Sequence, residues 1–342
     1  MLQSMLGVLS ADLAVDMGTT ATRIYVRGRG IVLRQASAVA MHEDAAGRKK
    51  VLCVGDRALE ILGRTPSDVR VVLPVRDGVV AEFDMAEALL RQLMLQVQGR
   101  RLWVAPRAAV CVPHGLSDVE RRALREAVEA SGAREVVLVE LPVACALGAE
   151  LPVNEARGNM IVDVGGGSTT VAVLSMGGVV HHHRMKLGGV HLDQAIAHHL
   201  RQEHDLLIGA RMAEEIKLAL GCALPGFQAD GFEARGRAID TGWPRACLLQ
   251  ADEVHRAISE PVRMIVDAVL SGLEHTPPDL ASDVADTGII LTGGGALLRD
   301  LDRALSDATG LPVVVPDDPS GTAVLGAARL IEQGASPAAM AV

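Results

Sequence analysis

Short apolar runs, broken by glycine and polar turns, alternate along this chain with segments whose apolar residues recur every three or four positions. The runs read as strands and the periodic segments as helices, which predicts an α/β architecture with sheets covered on both faces. Residues 12–32 (DLAVDMGTTATRIYVRGRGIV) read as an apolar strand ending in Asp-x-Gly, a Gly/Thr turn and a second β-rich run. A Val/Ala-rich strand from Ile31 to Met41 follows, and then a polar stretch, His42 to Lys50, turns into Val51–Gly55. Arg64-Thr65-Pro66 and residues 77–84 mark loops, and helical periodicity runs from Met85 to Val97. Ala108 to Val112 has the composition of a buried strand. Ser117 and Glu120 form a capping-box pattern for a helix that Gly132 stops after about Ala130. Glu135 to Val139 is a further strand, and Pro142 to Gly148 opens a small-residue helix.

The second half repeats the plan. A hairpin at 159–179 precedes helices from Leu192 to His204 and from Met212 to Leu220. The polar, Gly-rich stretch from Gly226 to Trp243 is expected to form a small β-subdomain, and a long helix runs from Asp252 to Leu273. Gly288 to Leu291 is a strand entering Thr292–Leu298 (TGGGALL), and a helix is expected to follow. Leu311 to Val315 is the last strand and Thr322 to Glu332 the last helix. The Ala/Ser/Pro-rich tail, 333–342, is expected to be disordered.

The two hairpins are two copies of one unit. A constant offset of 147 carries Val15 onto Val162, Asp16 onto Asp163, Gly18 onto Gly165, Thr22 onto Thr169 and Val26 onto Val173. Each turn exposes backbone N–H groups and hydroxyls, as an anion requires. One hairpin per half of the chain suits a polyphosphate gripped from two sides. Asp16 and Asp163 end their strands beside that anion, and two carboxylates there need a cation. Mg2+ held largely through its own waters fits best.

Composition narrows the picture. The 342 residues suffice for about two domains of roughly 150 each. With 49% hydrophobic but only 2% aromatic residues, the cores must be built of Val, Leu, Ile, Ala and Met. A net charge of −9 makes the surface as a whole repel nucleic acid and anionic lipid, so a phosphate has to be held locally by turns and metal. Cys53, Cys111, Cys145, Cys222 and Cys247 contain no CxxC pair and read as reduced and cytosolic. No apolar run approaches the roughly 20 residues of a membrane span, and the start lacks the marks of a signal peptide.

Five further features invite chemistry. Gly293, Gly294 and Gly295 let backbone approach a ligand closely and supply a wall for a base. Glu214 and Lys217 share a helix face, suited either to a nucleoside or to solvent. Leu2, Met5, Leu6 and Leu9 fall at helical spacing and read as a peripheral membrane contact, or else as a frayed terminus or minor docking helix; Leu102-Trp103 follows two arginines and reads as a membrane anchor, or else Trp103 packs back on its own domain. The histidines His181, His182, His183, His191, His198 and His199 do not promise a metal site. Alternate side chains of a strand face opposite ways, and no acidic residue or cysteine stands at ligand spacing.

The hairpins, residues 61–66 (ILGRTP), 119–136 (VERRALREAVEASGAREV), 235–239 (RGRAI) and 292–302 (TGGGALLRDLD) together resemble the MreB family of bacterial actins over roughly residues 5–332. The resemblance implies an actin-like, duplicated RNase H-like α/β fold of two lobes with ATP and Mg2+ in the cleft between them. Lobe I would comprise 1–32, 66–148 and 315–332 with a small subdomain at 33–65. Lobe II would comprise 149–181 and 246–314 with a small subdomain at 182–245. Gly18, Thr19, Thr20 and Ala21 match the family's first phosphate turn, and Gly165, Gly166, Gly167 and Ser168 the second. Glu214, Glu215, Ile216 and Lys217 match its ribose and adenine helix, and Gly293, Gly294, Gly295, Ala296 and Leu297 its adenine loop. Asp16 and Asp163 would hold Mg2+ through water, with Asp163 and Ser168 the residues nearest the chemistry. The family forms antiparallel double filaments on the inner face of the cytoplasmic membrane, working with transmembrane cell-wall elongation proteins. Its membrane contacts would fall on Leu2, Met5, Leu6, Leu9, Leu102 and Trp103.

The chain departs from the family pattern where hydrolysis is concerned. The family carries a water-orienting carboxylate directly before the proline of Glu140-Leu141-Pro142; here that residue is Leu141. Position 21, usually Asn, is Ala, and Ser168 stands where the family has Thr. A slow ATPase is therefore expected, with a non-hydrolysing paralogue as the rival. A small-molecule kinase would lack its base at Leu141, and an Hsp70-type chaperone would lack room for a peptide-binding domain.

Overall fold

The computed structural model describes residues 12–44, 47–98 and 105–333. Residues 1–9 and Leu102-Trp103, read as membrane contacts, lie outside the described residues, as does the tail from residue 334. No helix among the described residues is long and apolar enough to cross a membrane.

The chain divides into two compact units. One comprises Met1–Glu155, Met176–Gly178 and Gly321–Val342; the other comprises Ala156–Ser175 and Val179–Ser320. The sheet of the first unit runs in the order Glu135–Glu140, Arg107–Val112, Leu13–Met17, Ala21–Val26, Gly30–Ala36. That of the second runs Val313–Val314, Ile289–Thr292, Asn159–Val164, Thr169–Ser175, Gly178–Met185. Both have three sequence-consecutive strands followed by two that join in parallel from later in the chain. The repeat visible as a sequence offset is therefore a repeat of topology.

Aliphatic residues fill both cores. Leu13, Val15, Ile24, Leu89, Leu90, Leu93 and Met94 anchor the first, and Met160, Val162, Val173, Leu192, Ile196 and Ile258 the second. In the first unit the Leu141–Gly148 and Thr322–Glu332 helices meet through glycines. A Cβ on Gly326 would lie 1.8 Å from the Ala144 carbonyl oxygen, and one on Gly148 1.9 Å from that of Thr322. Two helix backbones approach this closely only where neither carries a side chain.

Several elements differ from the sequence reading. The single strand expected from Ile31 to Met41 is two, Gly30–Ala36 and Val39–Glu43, broken at Ser37. Ser37 is fully buried yet satisfied: its hydroxyl bonds Thr22 Oγ1 at 2.8 Å and its N–H donates to the Thr20 carbonyl. Beyond it the chain builds a separate three-stranded sheet with Lys49–Val54 and Val69–Val72. The helices Asp56–Glu60 and Pro278–Thr287 were not expected. The helix expected after the TGGG loop is present as Leu301–Thr309, set off from the loop by one 3-10 turn, Gly294–Leu297, and by Asp300 in the left-handed region. The His181–His183 run lies inside the Gly178–Met185 strand.

Candidate functional site

The two hairpins have the same internal geometry. Asp16 lies opposite Arg23 and Met17 opposite Thr22, while Gly18 N–H donates to the Ala21 carbonyl at 3.0 Å. In the second copy Asp163 lies opposite Thr170 and Val164 opposite Thr169, while Gly165 N–H donates to the Ser168 carbonyl at 2.9 Å. Every one of these partners obeys the offset of 147. A Cβ on either glycine would crowd that carbonyl at 3.2 Å, which accounts for glycine at both positions.

In the first unit the turn is shaped by residues remote in sequence. Thr19 is buried and its Oγ1 accepts the N–H of Gly78 at 2.9 Å; Thr20 is exposed. Arg23 reaches across the hairpin to Asp16, with Nη1 to Oδ2 at 3.5 Å. Burial pushes the Asp16 carboxyl above its ordinary range, and Arg23 pulls it back. The second copy has no counterpart of this arginine, because Thr170 stands there.

In the second unit the predicted residues come together on backbone. Asp163 and Ser168 are buried at the end of the hairpin. Gly293 has φ +83°, and a Cβ on it would lie 2.4 Å from the Val164 carbonyl oxygen and 2.7 Å from Asp163 Oδ1. The glycine loop thus lies directly against the strand end that carries Asp163. Within it Gly294 and Leu297 are exposed, while Ala296 is buried.

The Gly189–Glu203 helix supports the second turn from beneath. Gly189 N–H donates to the Gly165 carbonyl at 3.0 Å and Val190 N–H to that of Gly166 at 2.8 Å. A Cβ on Gly188 would meet the Gly165 oxygen at 2.4 Å. Lys217 completes the support, with Nζ 2.8 Å from Asp193 Oδ1 and 3.1 Å from the Gly189 carbonyl oxygen. Burial raises the Asp193 carboxyl against the opposing pull of Lys217. Lys217 is therefore engaged in holding the turn. On the same helix Glu214 is exposed, Glu215 pairs with Arg211 at 3.0 Å, and Ile216 is wholly buried in the core. Gly188, Gly189 and Asp193 escaped the sequence reading, although a Gly-Gly pair opening an amphipathic helix is a recognisable phosphate-site signal.

Glu140 is already committed. Its Oε2 lies 2.6 Å from His114 Nδ1 and its Oε1 2.8 Å from Arg121 Nη2. It occupies the N-cap position of the Leu141–Gly148 helix without a side-chain capping bond, and the half-buried Leu141 is the first residue of that helix. Among the other histidines, His191 Nδ1 accepts the Gly188 N–H at 3.1 Å, and His181 stacks on His275 at 5.7 Å.

Each unit thus presents an anion-type turn with a carboxylate at the preceding strand end. The oxygen donors of Asp16 and Asp163 suit a hard cation. Gly188, Gly293 and Gly295 leave no room for side chains where the second unit's loops converge.

The chain matches the family model described as MreB/Mbl protein over residues 10–338. It is 46% identical over 334 residues to the cell shape-determining protein MreB of Escherichia coli K12, covering 97% of this chain and 96% of that one. Among solved structures it is similar to MreB 5 of Spiroplasma citri bound to AMPPNP, with a TM-score of 0.87 and 30% identity over 94% of this chain and 98% of that one. The MamK double helical filament, 22% identical, aligns with a TM-score of 0.77 over 94% of this chain and 99% of that one, a likeness of fold alone.

Proposed function

Because this chain belongs to the MreB/Mbl family and has its actin-like fold, we propose that it binds Mg-ATP and polymerises into filaments on the inner face of the cytoplasmic membrane. These organise cell-wall elongation and rod shape together with transmembrane elongation proteins, and the ATP is hydrolysed slowly. The observation that carries this reading is the duplicated turn. Two hairpins of identical register each offer backbone N–H groups beside an aspartate. The Spiroplasma relative, solved with AMPPNP, supports a nucleotide as the anion.

Under this reading Thr19, Thr20, Ala21, Gly166, Gly167 and Ser168 surround the phosphates, and Asp16 and Asp163 hold Mg2+ through its waters. The ion would neutralise charge on the phosphates. Glu214 lies on the exposed helix face for the ribose, and Gly294–Leu297 offers backbone to the base. Lys217 positions the second turn through Gly189.

A second reading is favoured by one observation. Leu141 is apolar and Glu140 is held by His114 and Arg121, so a member that binds ATP without turning it over, and caps or regulates filaments, also fits. Electron microscopy of the full chain with Mg-ATP, in solution and on anionic lipid vesicles, tests the filament claim. Double filaments at tens of micromolar are expected; monomers alone under both conditions contradict it.

A further inference from the structure

Away from the phosphate turns, three side chains of the second unit converge on one point. His199, in the last turns of the Gly189–Glu203 helix, and His204, its C-terminal cap, both aim Nε2 at the same oxygen of Glu253, at 3.0 and 2.5 Å. Glu253 stands in the first turn of the Ala251–Glu274 helix. One ligand atom from each residue lies within 4.8 Å of the other two. The side chains are 22%, 24% and 17% exposed, so the cluster is sheltered but reachable from solvent.

The position of the cluster is as informative as its chemistry. Directly after His204 the chain enters the Leu206–Leu207 strand. It then runs through the Ala210–Leu220 helix, completes a three-stranded sheet with Phe232–Ala238 and Pro244–Leu249, and returns two residues before Glu253. His204 and Glu253 therefore face each other across the neck of the inserted residues 205–250. We propose that His199, His204 and Glu253 form a site for a transition-metal ion of the zinc class, which fastens the two ends of this inserted segment to each other.

Two imidazole nitrogens and one carboxylate with a position left for water are a donor set that zinc takes. The same set suits nickel, cobalt and copper, whereas Mg2+ and Ca2+ prefer oxygen ligands. The site is thus chemically distinct from the Mg2+ site proposed for the nucleotide. A cross-link at the neck restricts local opening of the segment it encloses, because binding energy adds to the stability of that segment.

The test uses the full chain, stripped of metal by a chelator and kept free of nucleotide, with millimolar Mg2+ present to fill oxygen-donor sites. Calorimetric titration with Zn2+ is expected to give one ion per chain, and titration with Co2+ to give visible bands of low-coordinate, histidine-ligated cobalt. Glu253→Gln and His204→Asn are expected to weaken Zn2+ binding by about 100-fold or more, the upper end of losses seen for residues that merely support ligands. His183→Asn, in the histidine run of the Gly178–Met185 strand, is expected to leave it unchanged. Zn2+ is also expected to slow amide exchange across residues 205–250 in the unaltered chain and not in Glu253→Gln. Should either ligand variant fail to melt cooperatively, His199→Gln serves in its place. Absence of cobalt bands, affinity indifferent to Glu253→Gln, or affinity abolished by His183→Asn each overturns the assignment.

Discussion

Leu141→Glu is expected to raise the rate of phosphate release from Mg-ATP by about 10²–10⁴-fold, the usual worth of a positioned general base. The expectation rests on two facts of this chain. Leu141 is the first residue of the Leu141–Gly148 helix and carries no group able to orient water, and the adjacent Glu140 is bound on both oxygens by His114 and Arg121. Released from those partners, Glu140 would still sit one residue away on an extended segment, aimed differently. Because the new carboxylate would act on water rather than on the nucleotide, single-turnover assays should show the gain in the chemical step with little change in affinity. A rate within about threefold of the unaltered chain would remove Leu141 from the account of slow hydrolysis.

Gly293→Val is expected to weaken ATP binding by about 100-fold or more, equivalent to roughly 2.7 kcal/mol. Residue 293 has φ +83°, which a β-branched residue adopts only under strain. Its Cβ would also lie 2.4 Å from the Val164 carbonyl oxygen and 2.7 Å from Asp163 Oδ1. Relief requires moving either the glycine loop or the strand end that carries Asp163, and both belong to the proposed site. Calorimetry gives the affinity, and a parallel thermal melt reports whether the fold persists. Unchanged affinity in a folded variant would show that the loop lies away from the nucleotide.

What the sequence disclosed follows the range of its signals. The hairpins were readable because duplication wrote one pattern twice, and a fixed offset needs no knowledge of tertiary structure. The Asp118–Ala130 helix announced itself through a local device, Ser117 bonding Glu120 in a capping box. Failures came where local pattern was thin or misleading. Apolar residues continue across Ser37, so nothing local marked the break that its bond to Thr22 permits. The Pro278–Thr287 helix is only ten residues long and buries just Val284 fully, so its apolar stripe is too short to stand out.

The site divides the same way. Asp16, Asp163 and the glycine turns stood out in the chain, whereas the groups that shape those turns did not. Gly78 reaches Thr19, Asp193 engages Lys217, and Arg23 meets Asp16, all by folding. The histidines carry no sign along the chain of the carboxylate they meet. Glu253 lies 54 residues from His199, and only the fold brings it within hydrogen-bonding distance. Contacts between distant residues are set by packing, and pattern along the chain carries no record of them.

The most direct test of the central claim is isothermal calorimetry of the full, cooperatively melting chain with ATP, in Mg2+ and then in excess chelator. One nucleotide per chain is expected in Mg2+, with affinity collapsing when the ion is removed. A folded protein that shows no magnesium-dependent heat with ATP would contradict the assignment of the paired hairpins to a triphosphate.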